Sequence, residues 1–106
     1  MSHVTTHVLD ATTGRPGVGM AVALRGEAGA VIAAGLTDDD GRLALGPDVL
    51  PRGNYELRFD TGRWAARAGI EVFYPYVTIA FTVTDAAHYH VPLLLSPFAY
   101  STYRGS

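Results

Sequence analysis

The sequence predicts an all-β fold, an antiparallel β-sandwich carrying one short helix. Three observations predict it. Apolar and β-branched residues recur at period two in short runs. Those runs are interrupted at short intervals by Gly-, Pro- and Asp-rich turn segments. Only one stretch has the composition and punctuation of a helix. The chain has 106 residues, a length that fits one domain spanning residues 1–106.

The elements can be justified in order. "HVTTHVLD" alternates and then breaks at "ATTGRPG", a loop rich in turn formers. "VGMAVALRG" and "AVIAAGLTD" read as the next two strands. "DDDGR" is a turn, in which Asp supplies local hydrogen bonds and Gly tolerates positive φ. "RLALG" is a short strand, "PDVLPRG" a loop and "NYELRFD" a clean alternating strand. "TGRWAARAG" is the helix, with Thr61 as N-cap and Gly69 as its stop. "YVTIAFTVTD", "HYHVPLLL" and "AYSTYRG" complete seven or eight strands. In "HYHVPLLL", Tyr89, Val91, Leu93 and Leu95 form the core face, because alternate strand residues point to opposite sides. His88, His90, Pro92 and Leu94 form the outer face. A face that mixes His, Pro and Leu indicates a covered surface such as a subunit interface. Pro92 cannot donate to a strand ladder, which argues for an edge or acceptor-only position there.

Composition narrows the function. The formal net charge is -2 and no basic run is present, which excludes an electrostatic nucleic-acid footprint. All eight basic residues are arginine. Cysteine is absent, so disulfides and thiolate metal sites are excluded. The opening "MSHVTTHVLD" lacks the basic-then-apolar pattern of a secretory signal, and no apolar run approaches membrane-spanning length. The expected location is the cytoplasm, with no membrane or nucleic-acid partner.

The polar residues that could carry chemistry are His7, Arg42, His88, His90, Tyr103, Arg104 and Ser106. Any one of them alone reads as an ordinary surface, interface or packing residue. His88 and His90 share a strand face, a spacing that could hold a metal. No third histidine lies near them in sequence, and a catalytic zinc needs three protein ligands, so neither a metal nor another cofactor is expected. Arg42 follows the Asp-rich turn, where a guanidinium fork would suit a planar, carbonyl-rich or anionic group. No nucleophile elbow, phosphate-binding loop or dinucleotide fingerprint occurs.

Four segments carry a resemblance. "THVLDATTGRPG", "DDGR", "FYPYVTIAF" and "HYHVPLLLSPFAYSTYRGS" resemble the 5-hydroxyisourate hydrolase family, the transthyretin-related proteins of purine catabolism. The resemblance spans almost the whole chain. It implies two four-stranded sheets and a short helix. It also implies a homotetramer, a dimer of dimers whose central channel holds the active sites and binds 5-hydroxyisourate. It carries catalytic roles onto His7, Arg42, His90 and Tyr103, and substrate binding onto Arg42, Arg104 and Ser106. The implied reaction is ring-opening hydrolysis of 5-hydroxyisourate to 2-oxo-4-hydroxy-4-carboxy-5-ureidoimidazoline. His7 and His90 would activate water and deliver protons, since imidazole titrates near working pH. Transthyretins that carry hormones lack the second His of "HYH" and the "YRGS" ending, both present here. A small-molecule carrier using the same channel is the alternative, and a purely structural sandwich the third reading.

Overall fold

The computed structural model describes residues 2–105. Its elements are β1 (Val4–Asp10), β2 (Arg15–Pro16), β3 (Ala21–Gly26), β4 (Val31–Leu36), β5 (Arg42–Leu45) and β6 (Gly53–Phe59). They are followed by α1 (Thr61–Ala68), β7 (Val77–Val83), β8 (Tyr89–His90), β9 (Leu93–Ser96) and β10 (Ala99–Ser101). One sheet has the order β4-β3-β6-β7, antiparallel throughout.

The other sheet is built on β1 and comprises six segments laid out in four lanes. β5 and β2 succeed each other along one edge of β1, where Val8 donates to Gly41 O and accepts from Gly17 N. β8 and β9 succeed each other along the opposite edge, where the carbonyls of His3 and Thr5 accept from Tyr89 N and Val91 N. β10 pairs with the outer side of β9. The four-lane sandwich is the one the sequence implies, with two differences. β1 runs parallel to both β8 and β9, because the chain crosses over from the other sheet after β7 and reaches β1 without a hairpin. "HYHVPLLL" is also two strands rather than one. The break falls at Val91–Pro92, where proline has no N–H to continue the ladder.

Period-two burial fills the space between the sheets. Val4, Thr6 and Val8 of β1 point inward, as do Tyr89, Val91, Leu93 and Leu95 of the expected core face. They meet Val22, Leu24, Leu57, Phe59, Val77 and Val83 from the second sheet. Each such side chain contributes about 1.5–3 kcal/mol when removed from water. The helix is capped by Asp60 rather than Thr61: the Asp60 side chain accepts from Arg63 N, and Gly69 closes the C-terminus in the left-handed conformation at φ 71°. Thr61 is instead buried at the first helical position, and its hydroxyl donates to Tyr74 O at 2.6 Å.

Candidate active site

The outer face of the β1 sheet collects the polar residues. On β1, Thr5, His7 and Leu9 alternate with the buried set and are half-buried. The antiparallel register of β1 and β5 sets His7 directly beside Arg42. The parallel register of β1 and β8 sets Thr5 directly beside His90. Residues 7, 42 and 90, far apart in sequence, thus become neighbours on three adjacent lanes.

The turn before β5 fixes Arg42. One carboxylate oxygen of Asp38 accepts from both Asp40 N and Arg42 N at 2.9 Å. The Arg42 N–H is the main reason that the Asp38 carboxyl is held below its ordinary value, with the Arg42 and His7 charges adding to it. The triple Asp is therefore a turn scaffold. The same turn presents the Asp40 carbonyl to His7, whose Nε2 donates to it at 2.9 Å. That bond assigns the hydrogen of neutral His7 to Nε2 and leaves Nδ1 as its basic nitrogen.

His88 and His90 flank one hydroxyl. Thr5 Oγ1 lies 2.8 Å from His88 Nε2 and 2.8 Å from His90 Nδ1. Thr5, Thr6, Asp38, Arg42, Leu43, Ala44, His88 and His90 line an open groove of about 460 Å³. Burial lowers the pKa of His90 below its ordinary value, and the charges of Arg42, His7 and His88 push in the same direction. The shift favours the neutral imidazole of His90, the form that accepts a proton. Among the described residues no group of three His, Cys, Asp or Glu side chains is arranged to hold a metal.

The C-terminal segment reaches this site through its backbone. Gly105 N donates to His90 O at 2.8 Å, and the two residues form an isolated antiparallel bridge. The side chains of Arg104 and Tyr103 lie elsewhere. Arg104 stacks its guanidinium over the ring of core-facing Tyr89 at 4.3 Å, on the side of β8 away from the His90 ring. Tyr103 is exposed and lines a second groove with Ile79, Phe81, Tyr89 and Arg104. Within one chain, therefore, His7, Arg42, His88 and His90 are brought together, and Tyr103 and Arg104 are not. Ser106 lies outside the described residues.

Sequence reasoning misses two contributors. Thr5 reads as an ordinary β-branched strand residue, and only the β1–β8 register reveals that it bridges two imidazoles. His3 is buried just ahead of β1, although alternation with Thr5 and His7 would put it outside. Its Nδ1 accepts from Leu50 N and its Nε2 donates to Ala87 O, each at 2.8 Å. It thereby pins the segment that leads into His88.

This arrangement defines a transthyretin-type β-sandwich that carries a histidine–arginine groove on the outer face of one sheet. The chain belongs to the HIUase/transthyretin family, whose model matches residues 4–105. It is 45% identical to a mouse protein named 5-hydroxyisourate hydrolase, over 99% of this chain and 96% of that one. The solved structure of Klebsiella pneumoniae 5-hydroxyisourate hydrolase superposes with a TM-score of 0.91 at 42% identity, covering all of both chains. Sea bream transthyretin, solved in complex with thyroxine, superposes with a TM-score of 0.87 at 29% identity, over 96% of this chain and 93% of that one.

Proposed function

We propose that this protein hydrolyses 5-hydroxyisourate in urate degradation. The observation that carries this reading is the placement of His7, Arg42 and His90 on adjacent lanes of one sheet face, where burial and the neighbouring charges disfavour the protonated form of His90. Water is a weak nucleophile at neutral pH and needs a base at its proton. His90 is that base. Its Nε2 has no hydrogen-bond partner among the described residues, so it is available to the groove. His90 takes one proton from water as the oxygen attacks the ring carbonyl, and the imidazolium returns that proton to the departing ring nitrogen. The catalyst ends the cycle unchanged, and water has been added across the C–N bond. Arg42 offers its N–H fork to the oxygen that becomes negative in the tetrahedral intermediate. His7, with Nε2 tied to Asp40, presents Nδ1 to the substrate.

The proposal extends to a homotetramer working in the cytoplasm. Leu9 and Leu94, apolar residues of the groove-bearing face, stay half-exposed within one chain and suit a surface that a second copy covers, whereas Pro92, expected on that outer face, is already buried. In such an assembly Tyr103 takes a catalytic role and Arg104 and Ser106 contribute to substrate binding, with Tyr103 and Arg104 supplied by a neighbouring copy. This is supported by the position of Tyr103 away from the His90 groove of its own chain. Sedimentation at monomer mass would overturn the assembly.

The function is tested by following the decay of freshly generated 5-hydroxyisourate. Purified protein should speed the decay and yield a ring-opened product. Decay at the buffer rate would overturn the enzyme reading. Saturable binding of an aromatic ligand without hydrolysis would point to a carrier.

A further inference from the structure

A threonine hydroxyl has a single hydrogen, and Thr5 Oγ1 is 2.8 Å from two imidazole nitrogens. It cannot donate to both, so at least one of the two facing nitrogens must carry a hydrogen. The proton placement follows once His90 Nε2 is the basic nitrogen. A neutral imidazole with its lone pair on Nε2 carries its hydrogen on Nδ1. That N–H donates to Thr5 Oγ1, which leaves the Thr5 hydrogen to be donated to His88 Nε2. The chain of bonds therefore runs one way, from His90 through Thr5 to His88.

We propose that Thr5 and His88 are positioning residues that hold His90 in the Nδ1–H tautomer and aim its Nε2 into the groove. This inference rests on the hydrolase reading for the direction of the chain. Their role resembles that of an orienting carboxylate behind a catalytic histidine, played by a pair that bears no negative charge. The lack of an anion suits this groove. A carboxylate beside Nδ1 would favour the imidazolium form, whereas the groups facing His90 here disfavour it. Those groups are Arg42 from β5, His7 from β1 and His88 ahead of β8. The orientation is fixed from three directions. Thr5 holds Nδ1, Val91 N donates to Thr5 O at 2.9 Å, and the Gly105 backbone lies against the ring. A tautomer lock matters because the alternative form would put hydrogen on Nε2 and remove the base, with its ring in the same place.

The test combines kinetics with nitrogen-15 NMR of the imidazoles in the full chain, with the His90 signals assigned by their loss in His90→Gln. In the wild type, His90 should show a protonated Nδ1 and a bare Nε2 at neutral pH, and His88 the same pattern. Thr5→Val keeps the branched shape that a strand prefers and removes the hydroxyl. It should keep the melting temperature close to wild type, turn His90 into a mixture of tautomers and lower kcat by about tenfold or more, with little change in KM. Thr5→Ser should restore both the tautomer and kcat, which a merely structural role of the side chain would not require. His88→Ala should lower kcat in the same direction by a smaller factor. Hydrogen on Nε2 of wild-type His90, or a folded Thr5→Val with wild-type tautomer and kcat, would overturn the proposal. A wild type that shows the expected tautomers yet does not hydrolyse 5-hydroxyisourate would support the His90–Thr5–His88 chain and overturn the hydrolase reading.

Discussion

Gly105 lies against the imidazole of His90. Its N–H donates to the His90 carbonyl at 2.8 Å, and a Cβ at this position would overlap His90 Cδ2, with Cγ at 3.1 Å and Cβ at 3.2 Å. The glycine is required for close approach, because its φ is not positive. Gly105→Ala should therefore push the His90 ring off its seat against Thr5. The expected outcome is a fall in kcat of roughly tenfold to a hundredfold. The thermal midpoint should barely move, since Gly105 lies outside the core. Unchanged turnover in Gly105→Ala would show that the tail does not position His90.

In the proposed hydrolysis His90 and Arg42 have different tasks and should fail differently. His90→Asn removes the proposed base and should lower kcat by about a hundredfold or more while the fold, followed by circular dichroism, is kept. Arg42→Lys keeps the positive charge and loses the planar fork. It should still lower kcat/KM, by about tenfold to a hundredfold, if the fork meets the developing oxyanion. Full activity in Arg42→Lys would reduce the arginine to a point charge.

Much of this site is legible in the sequence, because period two is a local rule. The core face of residues 89–95 and the outward direction of His88 and His90 follow from counting alternate positions. The pairing of His7 with Arg42 does not, since spacing along the chain cannot give the register between two strands separated by β2, β3 and β4. The resemblance to a known family, rather than any spacing, joins them. Parallel pairing of β1 with β8 and β9 is equally invisible to periodicity, which is the same for either direction. Thr5 and His3 are missed for a related reason. Both are ordinary residue types whose roles are created by tertiary neighbours.

The lowered pKa of His90 makes a prediction about pH with a definite sign. Burial, reinforced by Arg42, His7 and His88, moves this group below its ordinary value of 6.5. The neutral base therefore persists below pH 6.5, and the acid limb of the kcat/KM profile that belongs to His90 should have its midpoint below that value. Replacing Arg42 by Gln removes one of the charges that oppose protonation. The His90 titration, read by NMR, should then move upward. Stability follows the same linkage. A histidine whose folded pKa is depressed destabilises the folded state as pH falls from the unfolded value through the folded one. An acid limb above pH 6.5 in the wild type would contradict the burial of His90.

Gly41 joins the turn to the site, and its substitution tests how much the turn contributes. Its φ is 77°, a conformation that costs an L-residue about 1–2 kcal/mol. A Cβ there would also overlap the Val8 carbonyl oxygen and come within 3.1 Å of Pro16 Cβ and 3.2 Å of Gly17 N. That carbonyl is already engaged, accepting from Gly17 N at 2.8 Å, and Val8 N donates to Gly41 O at 2.7 Å. Gly41→Ala must therefore either strain φ or part β1 from the turn, and parting them carries Arg42 away from His7. Gly14 provides the control. Its φ is 75°, and a Cβ there meets nothing within 4 Å, so Gly14→Ala carries the backbone cost alone. Gly41→Ala should lower stability by about 1–3 kcal/mol more than Gly14→Ala. For a domain of this size each kcal/mol corresponds to roughly 4–8 °C in the thermal midpoint. Only Gly41→Ala should also lower kcat/KM, measured well below its melting transition. Equal losses of stability in the two variants, with activity untouched in both, would show that the β1–turn contact does not hold Arg42 in place.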